Sequence, residues 1–200
     1  IFDEFKKEDG SNFFKTVYTS VMMALLVAAS MLIFASKYLA VVLYKNSFYS
    51  AWMVGCVLIF AFVFNSLSSL IGTIYTATKK TSVLFYSTLA AACVNIVLNI
   101  ILIPGYGLYG AAFATLVSYV CVWLIRALLA KKQMEKGFID RNSLIIMVLI
   151  AFQIVIELSS LEYRMFLSFV IVLLVTAAAY KKLRNSILYD KITTIIERRK

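Results

Sequence analysis

The chain of 200 residues is 62% hydrophobic, has a mean hydropathy of +0.90 and carries a formal net charge of +10. An apolar content above the roughly 45–50% of soluble domains, gathered in several uninterrupted runs, excludes an ordinary soluble domain and predicts an integral membrane protein. The positive charge is divided among short segments between these runs and therefore predicts no nucleic-acid partner. The sequence has no His, which excludes a His base and a His metal site.

The apolar runs predict an all-α fold, a polytopic helical membrane protein with six transmembrane helices. Open strands would leave backbone groups unpaired in lipid, and the alternating segments of about 10 residues that build a membrane barrel are absent. In chain order the predicted spans are Phe13–Ser36, Ser50–Tyr75, Ser82–Ile103, Leu108–Ala130, Ser143–Leu158 and Met165–Tyr180. Because the first residue is Ile, we expect the start of the gene product to be missing.

The basic residues predict the orientation of these spans. If the N-terminus is cytoplasmic, all but three of the 20 Lys and Arg residues fall on the cytoplasmic side, as the positive-inside rule requires. The three exceptions are Lys37, Lys45 and Arg164. Aromatic anchors are predicted at the outer ends of the spans: Tyr38, Tyr44, Phe48, Tyr49, Trp52, Tyr106, Tyr109 and Tyr163.

A short hairpin is predicted between the third and fourth spans. Pro104 lacks an N–H group and should end the third helix, while Gly105 and Gly107 can adopt the backbone angles of a tight reversal. After this turn, Gly110, Ala111 and Ala114 place small side chains at helical spacing, which permits close helix packing in lipid. We therefore expect spans one to four to form a packed bundle and spans five and six to be peripheral.

Polar side chains at membrane depth are the candidate functional residues. The substrate-path candidates are Asn65, Ser69, Thr73, Asn95 and Asn99. Amides and hydroxyls in this position either join helices or line a water-filled path. No Asp or Glu occurs between Asp9 and Glu135, so spans one to four offer no carboxylate pair for acid–base chemistry. Glu157 and Glu162 are expected in a solvated outer loop.

The remaining chemistry-bearing residues do not form catalytic motifs. The three Cys residues are isolated and make no CxxC pair, and the glycines fit neither a P-loop nor a dinucleotide fingerprint. The sequence therefore predicts no enzyme, no cofactor and no metal site.

The hairpin region resembles a known transporter family. The run Asn95-x-x-x-Asn99-x-x-x-Ile103-Pro104-x-Tyr106-Gly107-x-x-Gly110-Ala111-Ala112-x-Ala114-Thr115 is similar to the C-terminal half of polysaccharide flippases of the multidrug/oligosaccharidyl-lipid/polysaccharide exporter superfamily. The stretch "YKNSFYSAW" resembles the outer segment before the family's next span, and "TATKKT" resembles its short basic cytoplasmic loop. The resemblance extends from Phe13 to Leu129.

This resemblance implies a two-lobed bacterial transporter of 12 or 14 helices in the cytoplasmic membrane, with both ends of this chain in the cytoplasm. Its cargo would be an undecaprenyl-diphosphate-linked glycan, moved across the lipid bilayer by alternating access, with other polysaccharide-assembly membrane proteins as further partners. The family's cationic cavity residues lie mostly on earlier helices, and the resemblance carries none of them onto this chain. The expected division is 1–136 for the four lobe helices, 137–181 for a peripheral helix pair and 182–200 for an amphipathic basic tail.

Two alternatives remain open. A cation-coupled multidrug antiporter of the same superfamily would need a membrane carboxylate, which spans one to four lack. A non-transporting membrane scaffold would be favoured if the gene product contained little beyond these spans.

Overall fold

The computed structural model describes the backbone of residues 8–43, 51–131, 140–159 and 161–197, and the side chains of 13–42, 51–130, 140–159 and 161–184. Within these residues the chain is all-helical, which confirms the predicted class. Five helices are each long and apolar enough to cross a membrane. They are α1 (Glu8–Leu43), α2 (Ala51–Ala77), α3 (Thr81–Lys131), α4 (Arg141–Leu158) and α5 (Arg164–Glu197).

Helix α3 contains both the third and the fourth predicted spans, separated by a break at Gly107. Gly107 has φ 54° and ψ −129°, a region that is open to glycine because it has no Cβ. Pro104 lies inside the helix, so the prediction that it ends the third span was wrong. A proline so close to the break removes only one hydrogen bond from the last turn before it.

The chain reverses direction at Gly107. Arg126 Nε lies 3.0 Å from Ser87 Oγ although 39 residues separate them, whereas a straight helix rising about 1.5 Å per residue would hold them roughly 60 Å apart. Close to the break, an ideal Cβ on Gly110 would lie 2.6 Å from the carbonyl oxygen of Leu102. The first arm of α3 (residues 81–106) and its second arm (residues 108–131) therefore lie side by side and antiparallel.

Helix α1 packs against α2 on one side and against α4 and α5 on another. Gln153 of α4 is fully buried, and its Nε2 donates to the Ser30 carbonyl of α1 and to Ser168 Oγ of α5. Ser30 Oγ in turn donates to Gln153 Oε1 at 2.7 Å. A buried amide in lipid stabilises helix association when its donors and acceptor are paired in this way.

The peripheral position of the α4 and α5 pair stays a prediction, and the contacts show which helix the pair packs on. In the described residues α4 and α5 contact α1 directly, while α3 packs on α2 and is the least buried of the five helices. The prediction was based on stripes of small residues, whereas α4 and α5 contact α1 through the buried amide of Gln153 together with apolar core residues. The predicted boundary at residue 136 lies outside the described residues. The tail backbone is helical to Glu197 as a continuation of α5, but its predicted apolar face lies outside the described side chains.

Side-chain contacts define two ends of the bundle. At the end we call the basic end, Trp123 Nε1 donates to Tyr18 Oη and Lys182 pairs with Asp140. At the opposite end, the hairpin end, Tyr109 Oη contacts Met53 Sδ and Tyr38 Oη contacts Met165 Sδ. The described basic side chains of the basic end are Lys15, Lys79, Lys80, Arg126, Arg141, Lys181, Lys182 and Arg184, whereas Lys37 and Arg164 lie toward the hairpin end. The assignment of the basic end to the cytoplasm stays a prediction.

We predict that Gly110→Ala destabilises the hairpin. The added Cβ would meet the Leu102 carbonyl at 2.6 Å, and overpacking of this kind typically costs about 1–3 kcal/mol. Gly105→Ala is the matched control, because a Cβ there meets nothing within 4 Å. Thermal unfolding of the gene product in mild detergent gives the melting temperature of each variant. Equal melting temperatures for the two variants would contradict the close approach of the two arms.

Candidate anion-binding groove

A groove of ≈ 540 Å³ opens at the basic end between the last turns of α2 and the two arms of α3. Most of its lining surface is apolar, and the polar part comes from hydroxyl groups and one guanidinium. The lining residues are Ser69, Gly72, Thr73, Thr76, Ala77, Leu84 and Arg126.

The turn between α2 and α3 positions the groove. Lys80 N donates to the Tyr75 carbonyl and Lys79 N to the Thr76 carbonyl, which is the hydrogen-bond pattern of a Schellman helix end. Lys79 takes the left-handed position, with φ 55°, that glycine more often occupies there. This tight turn starts α3 at Thr81 and leaves both lysines exposed next to the groove.

Arg126 joins three segments of the chain through its guanidinium. Its Nη1 donates to the Ser68 carbonyl of α2 at 3.1 Å, and its Nε and Nη2 donate to Ser87 Oγ and Thr88 Oγ1 of the first arm. Its own carbonyl accepts a hydrogen bond from Tyr75 Oη at 2.9 Å. A guanidinium has five N–H donors, so the bonds made within the described residues leave two available to a ligand.

The positive charge of Arg126 has no acidic partner in α2 or α3. No Asp or Glu occurs between Asp9 and Glu135, and the one ion pair among the described residues lies elsewhere, between Lys182 and Asp140. Charge-assisted hydrogen bonds to phosphate or carboxylate are the usual use of free guanidinium donors. The groove is therefore suited to an anion.

Gly72 makes room for the guanidinium. An ideal Cβ at this position would lie 3.3 Å from a Leu84 methyl group and 3.4 Å from Arg126 Nη1. A larger residue at position 72 would push Arg126 away from α2, so the glycine allows the approach that the hydrogen bond to the Ser68 carbonyl requires.

The predicted path residues fall in separate places. Ser69 and Thr73 line the groove, and Thr73 Oγ1 donates to the Leu70 carbonyl. Asn99 Nδ2 donates to Asn95 Oδ1 at 2.9 Å, so the two amides pair with each other along the first arm, away from the groove. Asn99 Oδ1 is buried without a hydrogen-bond partner in the described part of the chain. Asn65 is half-buried on α2 and does not line the groove.

The predicted hairpin residues occupy the reversal and the buried face of the second arm. Gly107 is the break, whereas Pro104 and Gly105 are exposed. Gly110 and Ala114 are buried. Ala111 is half-buried.

Sequence reasoning missed two residues. Arg126 was counted with the basic loop, although it lies inside the predicted span Leu108–Ala130, and an arginine within a span is itself a signal of function. Glu157 was expected in a solvated loop, but it is 3% exposed in the last turn of α4, so that prediction was wrong. The helix ends at Leu158, where the predicted span also ends, and α4 packs on α1 and α2.

Comparisons of the chain with protein-family models, with curated proteins and with solved structures gave no match.

The ion pair of Lys182 and Asp140 connects α5 to the start of α4 at the basic end, with an N–O distance of 2.6 Å. Burial by itself raises the pKa of the Asp140 carboxyl. Hydrogen bonds from Lys182 and Ser143, together with the Lys182 charge, outweigh burial and hold this pKa below its ordinary value of 3.8. The pair is partly exposed, so its contribution to stability is about 1 kcal/mol or less.

We predict that Lys182→Gln lowers the melting temperature at neutral pH, whereas Lys181→Gln, its exposed neighbour, has little effect. Because the folded-state pKa of Asp140 is depressed, the stabilisation is present above the unfolded-state pKa and is lost as the pH falls through the folded-state pKa. Thermal unfolding in detergent at neutral and strongly acidic pH measures the difference. A Lys182→Gln deficit that persists in strong acid would contradict the role of this pair.

Proposed function

We propose that this protein takes part in moving a lipid-linked oligosaccharide across the bacterial cytoplasmic membrane for the synthesis of cell-surface polysaccharide. The observation that carries the proposal is Arg126, a guanidinium within a membrane-spanning helix that has free donors and no acidic partner in α2 or α3. No chemical bond is made or broken in such a reaction. The resemblance of the hairpin region to polysaccharide flippases gives the class of cargo.

The groove offers each part of this cargo a suitable environment. Diphosphate oxygens accept hydrogen bonds from the free guanidinium N–H groups, and Ser69 provides a hydroxyl donor beside them. The hydroxyls of Thr73 and Thr76 donate to backbone carbonyls instead. Lys79 and Lys80 add positive charge at the mouth of the groove. The polyprenyl tail can stay in lipid against the exposed apolar surface of α3, whose side chains include Phe85, Leu89 and Ile96.

The proposal includes an arrangement in the membrane. The two arms of α3 are separate crossings, which gives the chain six spans, and the basic end faces the cytoplasm, as the charge distribution requires. The headgroup then meets the groove at the leaflet where lipid-linked precursors are made. The six spans form the C-terminal part of a transporter with 12–14 helices that works by alternating access, and the flippase resemblance supports this context.

A cation-coupled antiporter is the second candidate. An antiporter for cationic drugs needs a carboxyl group at membrane depth, and the burial of Glu157 in α4 now favours this alternative more than the sequence did. Glu157 lies toward the hairpin end, apart from the groove, which argues against direct contact between this carboxyl group and a drug held in the groove. No observation favours a scaffold.

We predict that disruption of the full-length gene depletes surface polysaccharide and leaves lipid-linked precursor on the cytoplasmic leaflet. Complementation with Arg126→Gln should restore export at least about tenfold less well than the unsubstituted gene, because a hydrogen bond to a charged group contributes about 1.5–3 kcal/mol. Arg126→Lys, which keeps the charge, should restore more than Arg126→Gln. Membrane-inserted protein is quantified for every variant.

Lys181→Gln is the control for a basic residue at the same end that does not line the groove. Normal surface glycan in the disrupted strain, together with new sensitivity to cationic dyes, would reverse the order of the two candidates.

A further inference from the structure

The two hydroxyl groups that accept from the Arg126 guanidinium differ in how they use their own hydrogen. Ser87 Oγ accepts from Arg126 Nε at 3.0 Å and donates to the Leu84 carbonyl at 3.1 Å, so its one hydrogen is already used. Thr88 Oγ1 accepts from Arg126 Nη2 at 2.9 Å, and its hydrogen has no acceptor in the part of the chain that the structure describes. Thr88 therefore keeps an unused hydroxyl donor next to the guanidinium.

The unused donor of Thr88 departs from the usual behaviour of a helical threonine. A threonine inside a helix commonly donates to a backbone carbonyl of the preceding turn, as Thr73 and Thr115 do in this chain. For Thr88 the carbonyl one turn earlier is that of Leu84, and this carbonyl accepts from Ser87. A donor without an acceptor is costly in a membrane-spanning segment, and a ligand oxygen beside it lowers that cost.

Thr88 lies where the groove meets the first arm of α3. Leu84, which lines the groove, precedes Thr88 by one helical turn on the same face of the arm. Thr88 is exposed, whereas Ser87 is buried with an exposed fraction of 1%. An anion held by the free N–H groups of Arg126 can therefore reach the hydroxyl of Thr88 but not that of Ser87.

We propose that Thr88 is a second anion-binding residue, whose hydroxyl donates to an oxygen of the same phosphate group that Arg126 binds. A hydroxyl that accepts from a cationic donor is polarised and becomes a stronger donor itself, since linked hydrogen bonds reinforce one another. A phosphate group presents several acceptor oxygens to such a pair of donors. This proposal rests on the proposed function, in which the anion is the diphosphate of the lipid-linked cargo.

Binding of a polyprenyl diphosphate to the full-length protein in lipid nanodiscs tests this role. We expect Thr88→Val, which removes the hydroxyl and keeps the branched shape, to weaken binding about tenfold or more. Thr88→Ser keeps the hydroxyl and should restore most of the affinity. Ser87→Ala removes an acceptor of the guanidinium but no donor to the ligand, so its loss should be smaller. Thr115→Val, outside the groove lining, is the control for the loss of a threonine hydroxyl and should have no effect.

Phosphorus NMR of the bound diphosphate, measured at saturating ligand, separates direct contact from an effect on the position of Arg126. A hydrogen bond from Thr88 to the phosphate alters the phosphorus chemical shift, so the bound resonance should move in Thr88→Val. In Thr88→Ser it should stay close to that of the unsubstituted protein. An unchanged resonance in Thr88→Val overturns the proposal, as do losses of affinity of equal size in Thr88→Val and Ser87→Ala.

The same measurements distinguish failure of this proposal from failure of the proposed function. If Arg126→Gln weakens binding and Thr88→Val does not, the role of Thr88 is wrong and the anion groove stands. If the polyprenyl diphosphate binds no more tightly than polyprenyl alcohol, the proposed function fails and this proposal fails with it.

Inorganic diphosphate identifies the source of the anion. If it binds as tightly as the polyprenyl diphosphate and weakens in Thr88→Val, Thr88 binds a free anion and the lipid-linked cargo is contradicted. If Thr88→Val yields no folded protein, Thr88→Ala removes the same hydroxyl, and the proposal then requires the same loss of affinity in that variant.

Discussion

The guanidinium of Arg126 is the contact on which the arrangement of the basic end depends. It comes from the second arm of α3 and donates to α2 and to the first arm, so a single side chain holds three helical segments together. Helices in lipid gain little from burying apolar surface against one another, since lipid is as apolar as their side chains. Directional hydrogen bonds and close backbone contacts must therefore fix their positions, and Arg126 supplies three such bonds.

Other contacts in the bundle also fix helix positions, but through different chemical groups. Gln153 joins α1, α4 and α5 through paired amide and hydroxyl groups, and Gly110 lets the two arms of α3 approach to backbone contact. These two contacts leave no charge to bind a ligand. Arg126 differs because its charge has no acidic partner in α2 or α3 and two of its donors remain free, so the group that joins the helices is also suited to bind an anion.

The sequence predicted the parts of the fold that depend on composition and spacing. The apolar runs gave the helices, and the glycines around residue 107 gave the reversal, because a backbone conformation open to glycine leaves a visible mark in the sequence. The prediction of helix packing was less accurate where it depends on a contact between residues far apart in the sequence. Nothing near Gln153 reveals that it meets Ser30, which is 123 residues away, so the contact of α4 and α5 with α1 could not be predicted.

The candidate site was predictable only in part for the same reason. Ser69 and Thr73 lie on the face that lines the groove, as a helical stripe indicates, but Asn95 and Asn99 pair with each other along their own arm. Glu157 was misplaced because a carboxylate near the end of a span is usually solvated, and only the packing of α4 against α1 and α2 buries it. The position of Arg126 within a predicted span could be read from the sequence. Its hydrogen-bond partners could not, because they come from other segments of the chain.

Direct binding of a polyprenyl diphosphate to the full-length protein in nanodiscs tests the anion groove most directly. Polyprenyl alcohol tests the contribution of the lipid tail alone, and inorganic diphosphate tests the headgroup alone. We expect the polyprenyl diphosphate to bind more tightly than the alcohol, and we expect Arg126→Gln to weaken its binding about tenfold or more, while Lys181→Gln does not. Equal affinity for the diphosphate in the unsubstituted protein and in a folded Arg126→Gln variant would contradict the assignment of the anion groove.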